Sequence, residues 1–140
     1  MKAISLWQPW ASAIANGVKQ IETRHWQTHY RGPIAIHAAQ KKSRDLVEAF
    51  YSLMDLHPTF YTAFAKNIEL EFATLPFGAV IATATLVECL PVDMITGLTE
   101  VERALGNYSS GRFGWVLKDV KRLAKPVPCR GRQRIFNVDL

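Results

Sequence analysis

The chain has 140 residues, of which 49% are hydrophobic and 21% are charged, and its formal net charge is +5 at pH 7. This composition supports one hydrophobic core without disulfides or a structural metal, so we predict a single domain over residues 1–140. No apolar run approaches the roughly 20 residues of a membrane span, and no signal-peptide pattern follows Met1, so we expect a cytoplasmic protein with no membrane partner.

The charge is unevenly distributed along the chain. Residues 1–42 carry a net charge of +5, residues 43–106 carry −6 and residues 107–140 carry +6. If both terminal segments join one sheet and the middle forms covering helices, one side of the fold is basic and suits a polyanion. The ordinary solvated surface of a domain explains the same charges, so charge alone does not assign a function.

The first half of the sequence predicts three strands and three helices. Alternating apolar residues and turn residues place strands at Lys2–Leu6, Val18–Arg24 and Ile34–Ala39, and a helix between Pro9 and Asn16-Gly17. Two amphipathic helices follow, one capped by Ser43 and one opened by Pro58, because apolar residues recur on one face of each.

The second half predicts more strands and a short helix. The run from Gly78 to Leu90 is rich in β-favouring residues and long enough for a bent barrel strand. Thr99-x-x-Glu102 is a capping-box pattern, so a helix is expected to end at Gly106. Strands return at Phe113–Leu117 and Ile135–Val138. Strands at both termini with helices between them predict an α+β barrel.

A compact set of charged residues lies just after the first predicted helix. Lys19, Glu22 and Arg24 supply a compact cation, a carboxylate and a bidentate anion binder. Strand alternation turns Glu22 and Arg24 to one side, and Lys19 at the bend can join them in one cleft. In an arbitrary sequence, the ordinary interpretation of such a triplet is an exposed strand with a salt bridge.

The pattern Gly17-x-Lys19-x-x-Glu22-x-Arg24 resembles the signature motif of the ASCH domain family, and so does its context. Similar stretches are Ser5–Ala11, Trp26, Tyr30–Ala38 and Gly111–Leu117. The resemblance spans essentially the whole chain and implies a PUA-like β-barrel with covering helices. It also implies a cleft between the barrel and the first helix, whose partner is RNA, a nucleotide-like small molecule or a coactivator-type ligand.

The residues expected to bind this partner combine the motif with aromatic and basic neighbours. They are Trp7, Trp10, Lys19, Glu22, Arg24, Trp26, Arg31, His37, Arg112, Arg130 and Arg132. A base can stack on an exposed tryptophan, although a tryptophan or histidine in a small protein is often a core residue, as we expect for Trp115. A longer basic track for RNA is also predicted, comprising Arg112, Lys118, Lys121, Arg122, Arg130 and Arg132.

An enzymatic function is the alternative that the resemblance raises. One small family with this fold deacylates acetylcytidine nucleosides through a lysine, a threonine and a glutamate, and related domains are described as ribonucleases. Lys19 matches that lysine, but Glu22 stands where the threonine would be, so a covalent hydroxyl mechanism does not carry over. The candidate catalytic residues are therefore Lys19, Glu22 and Glu88, with a carboxylate activating water or a 2′-hydroxyl.

A third possibility is a protein-interaction module, which predicts an exposed apolar patch instead of a cleft. We predict neither a metal nor a cofactor. His25 and His29 together with Cys89 and Cys129 lack the short ligand spacing of a zinc knuckle, and two distant cysteines do not make a disulfide framework.

Overall fold

Six strands and four α-helices make up the protein in the computed structural model, which describes all 140 residues. The strands are β1 (Lys2–Leu6), β2 (Ile21–Arg24), β3 (Gly32–Ala38), β4 (Ala79–Pro91), β5 (Phe113–Pro128) and β6 (Phe136–Asn137). The helices are α1 (Trp10–Ala15), α2 (Arg44–Leu56), α3 (Pro58–Ala65) and α4 (Glu100–Ala104). Short 3₁₀ turns lie at Phe72–Thr74 and Val92–Met94.

All six strands belong to one mixed sheet in the order β2-β5-β4-β3-β1-β6. The β1–β3 pair is parallel and the other pairs are antiparallel. The predicted α+β class is confirmed. No hydrogen-bonded ladder joins β2 to β6, so the sheet is open at this seam rather than closed by backbone pairing into a barrel.

The long strand β5 differs in pairing between its two halves. It pairs with β4 from Phe113 to Pro128, but β2 reaches only its first residues, up to Val116. The remainder, Lys118–Pro128, has β4 as its single strand partner, and we call it the open edge of β5. The extension of β5 beyond Leu117 was not predicted, because a segment rich in Pro, Lys and Arg is typical of a loop. Prolines are nevertheless tolerated on an edge strand.

The helices form where the sequence supplies caps and apolar faces. Ser43 Oγ accepts a hydrogen bond from Leu46 N at 3.4 Å, and Thr99 accepts one from Glu102 N at 3.0 Å, so both predicted caps are confirmed. Helices α2 and α3 bury an aromatic cluster together with the nearby 3₁₀ turn, and its members are Phe50, Phe60, Phe64 and Phe72. No helix has both the length and the apolarity needed to cross a membrane.

The segment between α1 and β2 determines how the charged motif is presented. The amides of Val18 and Lys19 both donate to the carbonyl of Ala13, each at 3.1 Å, and Gly17 adopts φ = 83°. These bonds continue the end of α1, so β2 begins at Ile21 instead of Val18. Lys19 therefore lies outside the strand and does not follow its alternation.

Candidate functional site

A cleft of about 1590 Å³ opens between the start of α1, strand β2 and the segment that joins β5 to β6. It is larger than the roughly 300–1,000 Å³ of pockets that enclose one small molecule. We call residues 128–134, which form one wall, the arginine-rich segment. Five arginines and a single carboxylate, Glu22, line the cleft.

The three charged motif residues form a chain of contacts at the β2 side of this cleft. Glu22 Oε2 lies 3.2 Å from Arg24 Nη2, and Glu22 Oε1 lies 3.8 Å from Lys19 Nζ. The side chains of Glu22 and Arg24 are 13% and 24% exposed and line the cleft. The side chain of Lys19 is 0% exposed and lies behind Glu22, outside the lining. The structure thus brings all three together but gives a ligand access to two of them.

The buried position of Lys19 explains its electrostatics. Its ammonium group donates to the Leu105 carbonyl at 2.7 Å, which ties the end of α4 to the motif. Burial lowers the pKa of Lys19, and the nearby carboxylates of Glu22 and Glu102 oppose that shift. Glu102 accepts from Gln20 N at 2.8 Å, and burial raises its pKa. Lys19 therefore makes a buried contact that joins the motif to the end of α4.

Arg24 and Arg112 are fixed by backbone carbonyls on the same side. Arg24 Nη2 donates to Ser5 O at 2.7 Å, which joins β2 to β1. Arg112 donates to Thr23 O at 3.1 Å and to Asn107 O at 3.2 Å. Both guanidinium groups line the cleft in defined orientations, as expected for an anion site that is formed before ligand arrives.

The arginine-rich segment presents its cations differently. Arg130 and Arg132 are exposed, line the cleft and make no hydrogen bond or ion pair within the protein. Arg134 also lines the cleft and was missed in the sequence-based prediction. The repeat of arginine at every second position from 130 to 134 was the available signal, because alternate residues of an extended segment face the same way.

The predicted tryptophans differ in exposure. Trp7 is 51% exposed and Trp10 and Trp26 are half-buried, and all three line the cleft. Trp115 is buried in the core, as predicted, and meets Trp26 edge to face with ring centroids 4.7 Å apart. Lys41 Nζ lies 3.9 Å from the centroid of the Trp7 ring, a contact that no sequence pattern predicted.

His37 anchors the arginine-rich segment to the floor of the cleft. Its Nε2 lies 2.9 Å from the Cys129 carbonyl and must donate to it, which leaves Nδ1 of the neutral ring to accept from Ser5 Oγ at 2.9 Å. A Cβ at Gly131 would lie 2.7 Å from His37 Cε1, so only glycine allows this approach. His37 lines the cleft, and both of its ring nitrogens are engaged within the protein. Its contact with a ligand stays a prediction.

The structure places Glu88 and Arg31 outside the cleft, apart from the other predicted site residues. Their exposed side chains pair with each other at 3.1 Å. The amide of Cys89 and the Arg31 guanidinium hold the pKa of Glu88 below its usual range. The cause is the register of β4. Trp115 of β5 pairs with Glu22 on one side and with Cys89 on the other, so these residues share a face of the sheet. Glu88 is adjacent to Cys89 and therefore faces the other side.

The predicted basic track is also interrupted. Arg112, Arg130 and Arg132 line the cleft, whereas Lys118 and Lys121 lie on the open edge of β5. Arg122 forms an ion pair with Glu69 and a hydrogen bond with Asn16, so its charge is compensated. No group of three or more His, Cys, Asp or Glu side chains is placed to hold a metal ion.

The comparison with protein families decides the classification. The family model of the ASCH domain matches residues 4–127. The chain belongs to the ASCH domain family. The resemblance found in the sequence is thereby confirmed. The arginine-rich segment lies beyond the matched residues.

Two curated relatives of this ASCH domain are the proteins named Activating signal cointegrator 1 of Homo sapiens and Mus musculus, which are 26% and 25% identical over 136 residues. Each alignment covers 97% of this chain but 22% of the relative, so the chain spans less than a quarter of those proteins.

The crystal structure of an ASCH protein from Zymomonas mobilis has the same fold, with a TM-score of 0.55, 17% identity and coverage of 99% of this chain and 87% of that one. A tyrosine-to-phenylalanine mutant of the Zymomonas mobilis protein gives the same TM-score and identity, with 89% of its chain covered.

Proposed function

We propose that this ASCH domain binds single-stranded RNA in the cleft, with phosphates at the arginine-rich segment and bases against tryptophan rings. The observation that carries the proposal is the pair of arginines, Arg130 and Arg132, which face the cleft with no partner in the protein. Guanidinium groups without an internal partner are suited to bind phosphate, and exposed aromatic rings are suited to stack on bases. A cleft wider than a single-ligand pocket leaves room for several nucleotides.

The same geometry supports hydrolysis less well. Glu22 is held by Arg24 and also accepts from Thr23 N at 3.1 Å, and Lys19 is shielded behind it. With Glu88 outside the cleft, no second carboxylate is available to serve as a general base or acid beside Glu22. Binding without turnover is therefore the function that we propose.

A protein-interaction module is the third class, and the name of the cointegrator relatives suggests it. A partner peptide held mainly by apolar contacts would need a largely apolar groove. The cleft has 8 hydrophobic residues among the 25 that line it, and its charged residues are mostly arginine. These features favour a polyanion over a protein partner.

Salt-dependent binding tests this proposal. A labelled RNA ten-mer and a labelled mononucleotide are titrated at several salt concentrations. If about three phosphates are neutralised, log K falls against log salt with a slope of about −2, at roughly 0.7 per contact. Replacing Arg130 and Arg132 together by Ala removes about 1.4 from the magnitude of that slope.

The matched control is the double replacement of Lys118 and Lys121 by Ala, which removes the same charge from the open edge of β5. We expect this control to leave the slope close to that of the wild type. Equal affinities for the ten-mer and the mononucleotide, with a slope near zero, would overturn the proposal.

A further inference from the structure

Two tryptophan rings of the cleft are covered by cations. Lys41 Nζ lies 3.9 Å from the centroid of Trp7, and Arg134 Cζ lies 4.7 Å from the centroid of Trp26. Both distances are within the range of a cation–π interaction. Neither Lys41 nor Arg134 forms an ion pair with a carboxylate, so the ring is the main electrostatic partner of each cation in the protein.

A cation in this position competes with a nucleobase for the same ring face. A base that stacks on the covered face of Trp7 must move Lys41 away, and a base on the covered face of Trp26 must move Arg134. A neutral nucleoside gains the stacking contact but leaves the displaced cation with water alone. A nucleotide gains the same contact and also offers its phosphate to that cation.

We propose that Lys41 and Arg134 are specificity-determining residues that make the cleft prefer phosphate-bearing bases over neutral nucleosides. This inference rests on the proposed function, because it concerns the ligand class of the same cleft. The cation–π contact is a penalty for a ligand that stacks on the covered face, and the phosphate is the group that compensates for it. Neutral nucleosides are thereby poor ligands even though the rings suit their bases.

The position of each cation fits this exchange. Lys41 directly follows Gln40, which lines the cleft, so its flexible side chain can turn from the ring to a phosphate nearby. Arg134 ends the alternating series that contains Arg130 and Arg132, so successive phosphates of one strand can contact successive guanidinium groups. Arg134 therefore belongs to the arginine-rich segment itself, and Lys41 lies one residue from the cleft lining.

The test compares adenosine with adenosine 5′-monophosphate on the wild-type protein and on Lys41→Ala and Arg134→Ala. Binding is followed by NMR through the indole N–H signals of Trp7 and Trp26, which report on each ring separately. Each variant uncovers a ring, so we expect adenosine to bind about two- to fivefold more tightly, matching an exposed cation–π contact. For the monophosphate the same variants lose a phosphate contact of similar size, which offsets the gain from the uncovered ring, so we expect its affinity to change by less than about twofold.

The chain supplies a matched control in the neighbouring lysine. Lys42 Nζ lies 4.5 Å from the ring of Phe77, and neither residue lines the cleft. Lys42→Ala removes the same charge and a similar contact one position away. We expect it to leave adenosine affinity unchanged, so a gain limited to the two cleft variants supports the inference.

The outcomes separate this inference from the function on which it rests. If the wild type binds nucleotides but each cleft variant weakens both ligands, or changes neither, the inference is overturned and the RNA-binding proposal stands. If the wild type binds neither the monophosphate nor the RNA ten-mer, both are overturned. A gain in adenosine affinity without a matching gain for the monophosphate, on the ring whose cation was removed, supports the inference.

Discussion

On the β2 side of the cleft, Arg24 is engaged by Glu22 and by the Ser5 carbonyl, whereas Arg130 and Arg132 on the opposite side make no contact with a protein acceptor. The first side belongs to the family motif, and the second lies beyond the residues that the family model matches. The motif residues therefore join α1, β1, β2 and α4. The arginines without an acceptor in the protein lie in the arginine-rich segment, where we propose that phosphates bind.

The largest loss of stability is expected when the buried hydrogen bond between Lys19 and the Leu105 carbonyl is removed. Lys19→Met fills a similar volume but leaves the Leu105 carbonyl without its donor and removes a cation from beside two carboxylates. We expect the free energy of unfolding to fall by about 3 kcal/mol, as for other broken buried ion pairs. Urea denaturation measures it, with exposed Lys118→Met as the control. An unchanged midpoint would show that the motif lysine is not structural.

A smaller loss is expected at the anchor of the arginine-rich segment. Gly131→Ala drives a Cβ to within 2.7 Å of His37 Cε1, so the segment or the ring must shift, and overpacking of this kind costs about 2 kcal/mol. RNA affinity should fall as well, because Arg130 and Arg132 move with the backbone. The double variant with His37→Ala removes the nearest contact of the new Cβ and leaves Ser5 Oγ at 3.0 Å, so the two losses should not add. Additive losses would argue against this steric coupling.

The pH dependence of stability offers a third comparison, between the wild type and Lys19→Met. Burial lowers the pKa of Lys19 below its usual 10.5, so the folded protein releases this proton before the unfolded chain does. Raising the pH from the lowered pKa towards 10.5 therefore increases the wild-type free energy of unfolding relative to the variant. The gain is about 1.4 kcal/mol per unit of pKa difference. If the free energy of unfolding of the wild type does not rise relative to that of Lys19→Met over this pH range, the description of Lys19 as a buried cation is contradicted.

The smallest effect on stability is expected on the arginine-rich segment itself. Arg132→Ala removes an exposed side chain without protein partners, so we expect the free energy of unfolding to change by less than about 0.5 kcal/mol. The salt slope for RNA binding should nevertheless decrease by about 0.7. Thermal unfolding and the salt titration together test the contrast between the two sides. A marked loss of stability would show that Arg132 contributes to the fold, against this prediction.

Local sequence patterns predicted much of the secondary structure. Ser43 and Thr99 cap helices as expected, and the motif side chains come together because α1 ends at Asn16 and a short turn leads from it to β2 at Ile21. The burial of Lys19 could not be predicted from strand alternation, because its amide still bonds to Ala13 of the preceding helix.

The differences between the expected and observed positions of the site residues arise from tertiary geometry. Glu88 faces away because its strand shifts register against β5 between Leu86 and Glu88, a feature that depends on both strands. The cations over Trp7 and Trp26 come from segments remote in sequence from those rings, so no local pattern marks them. His37 was recognised as either a core residue or a ligand contact, and its two hydrogen bonds show only how the ring is held within the protein.

The open edge of β5 has a consequence for behaviour at high concentration. A strand with free backbone groups on one side is a template for addition of a strand from another molecule. Here Lys118, Lys121 and Lys125 are exposed along that edge, and an incoming strand would have to strip water from their ammonium groups. Pro126 and Pro128 offer no amide hydrogen to it. The lysines that a polyanion would not reach from the cleft thus protect the sheet against edge-to-edge aggregation.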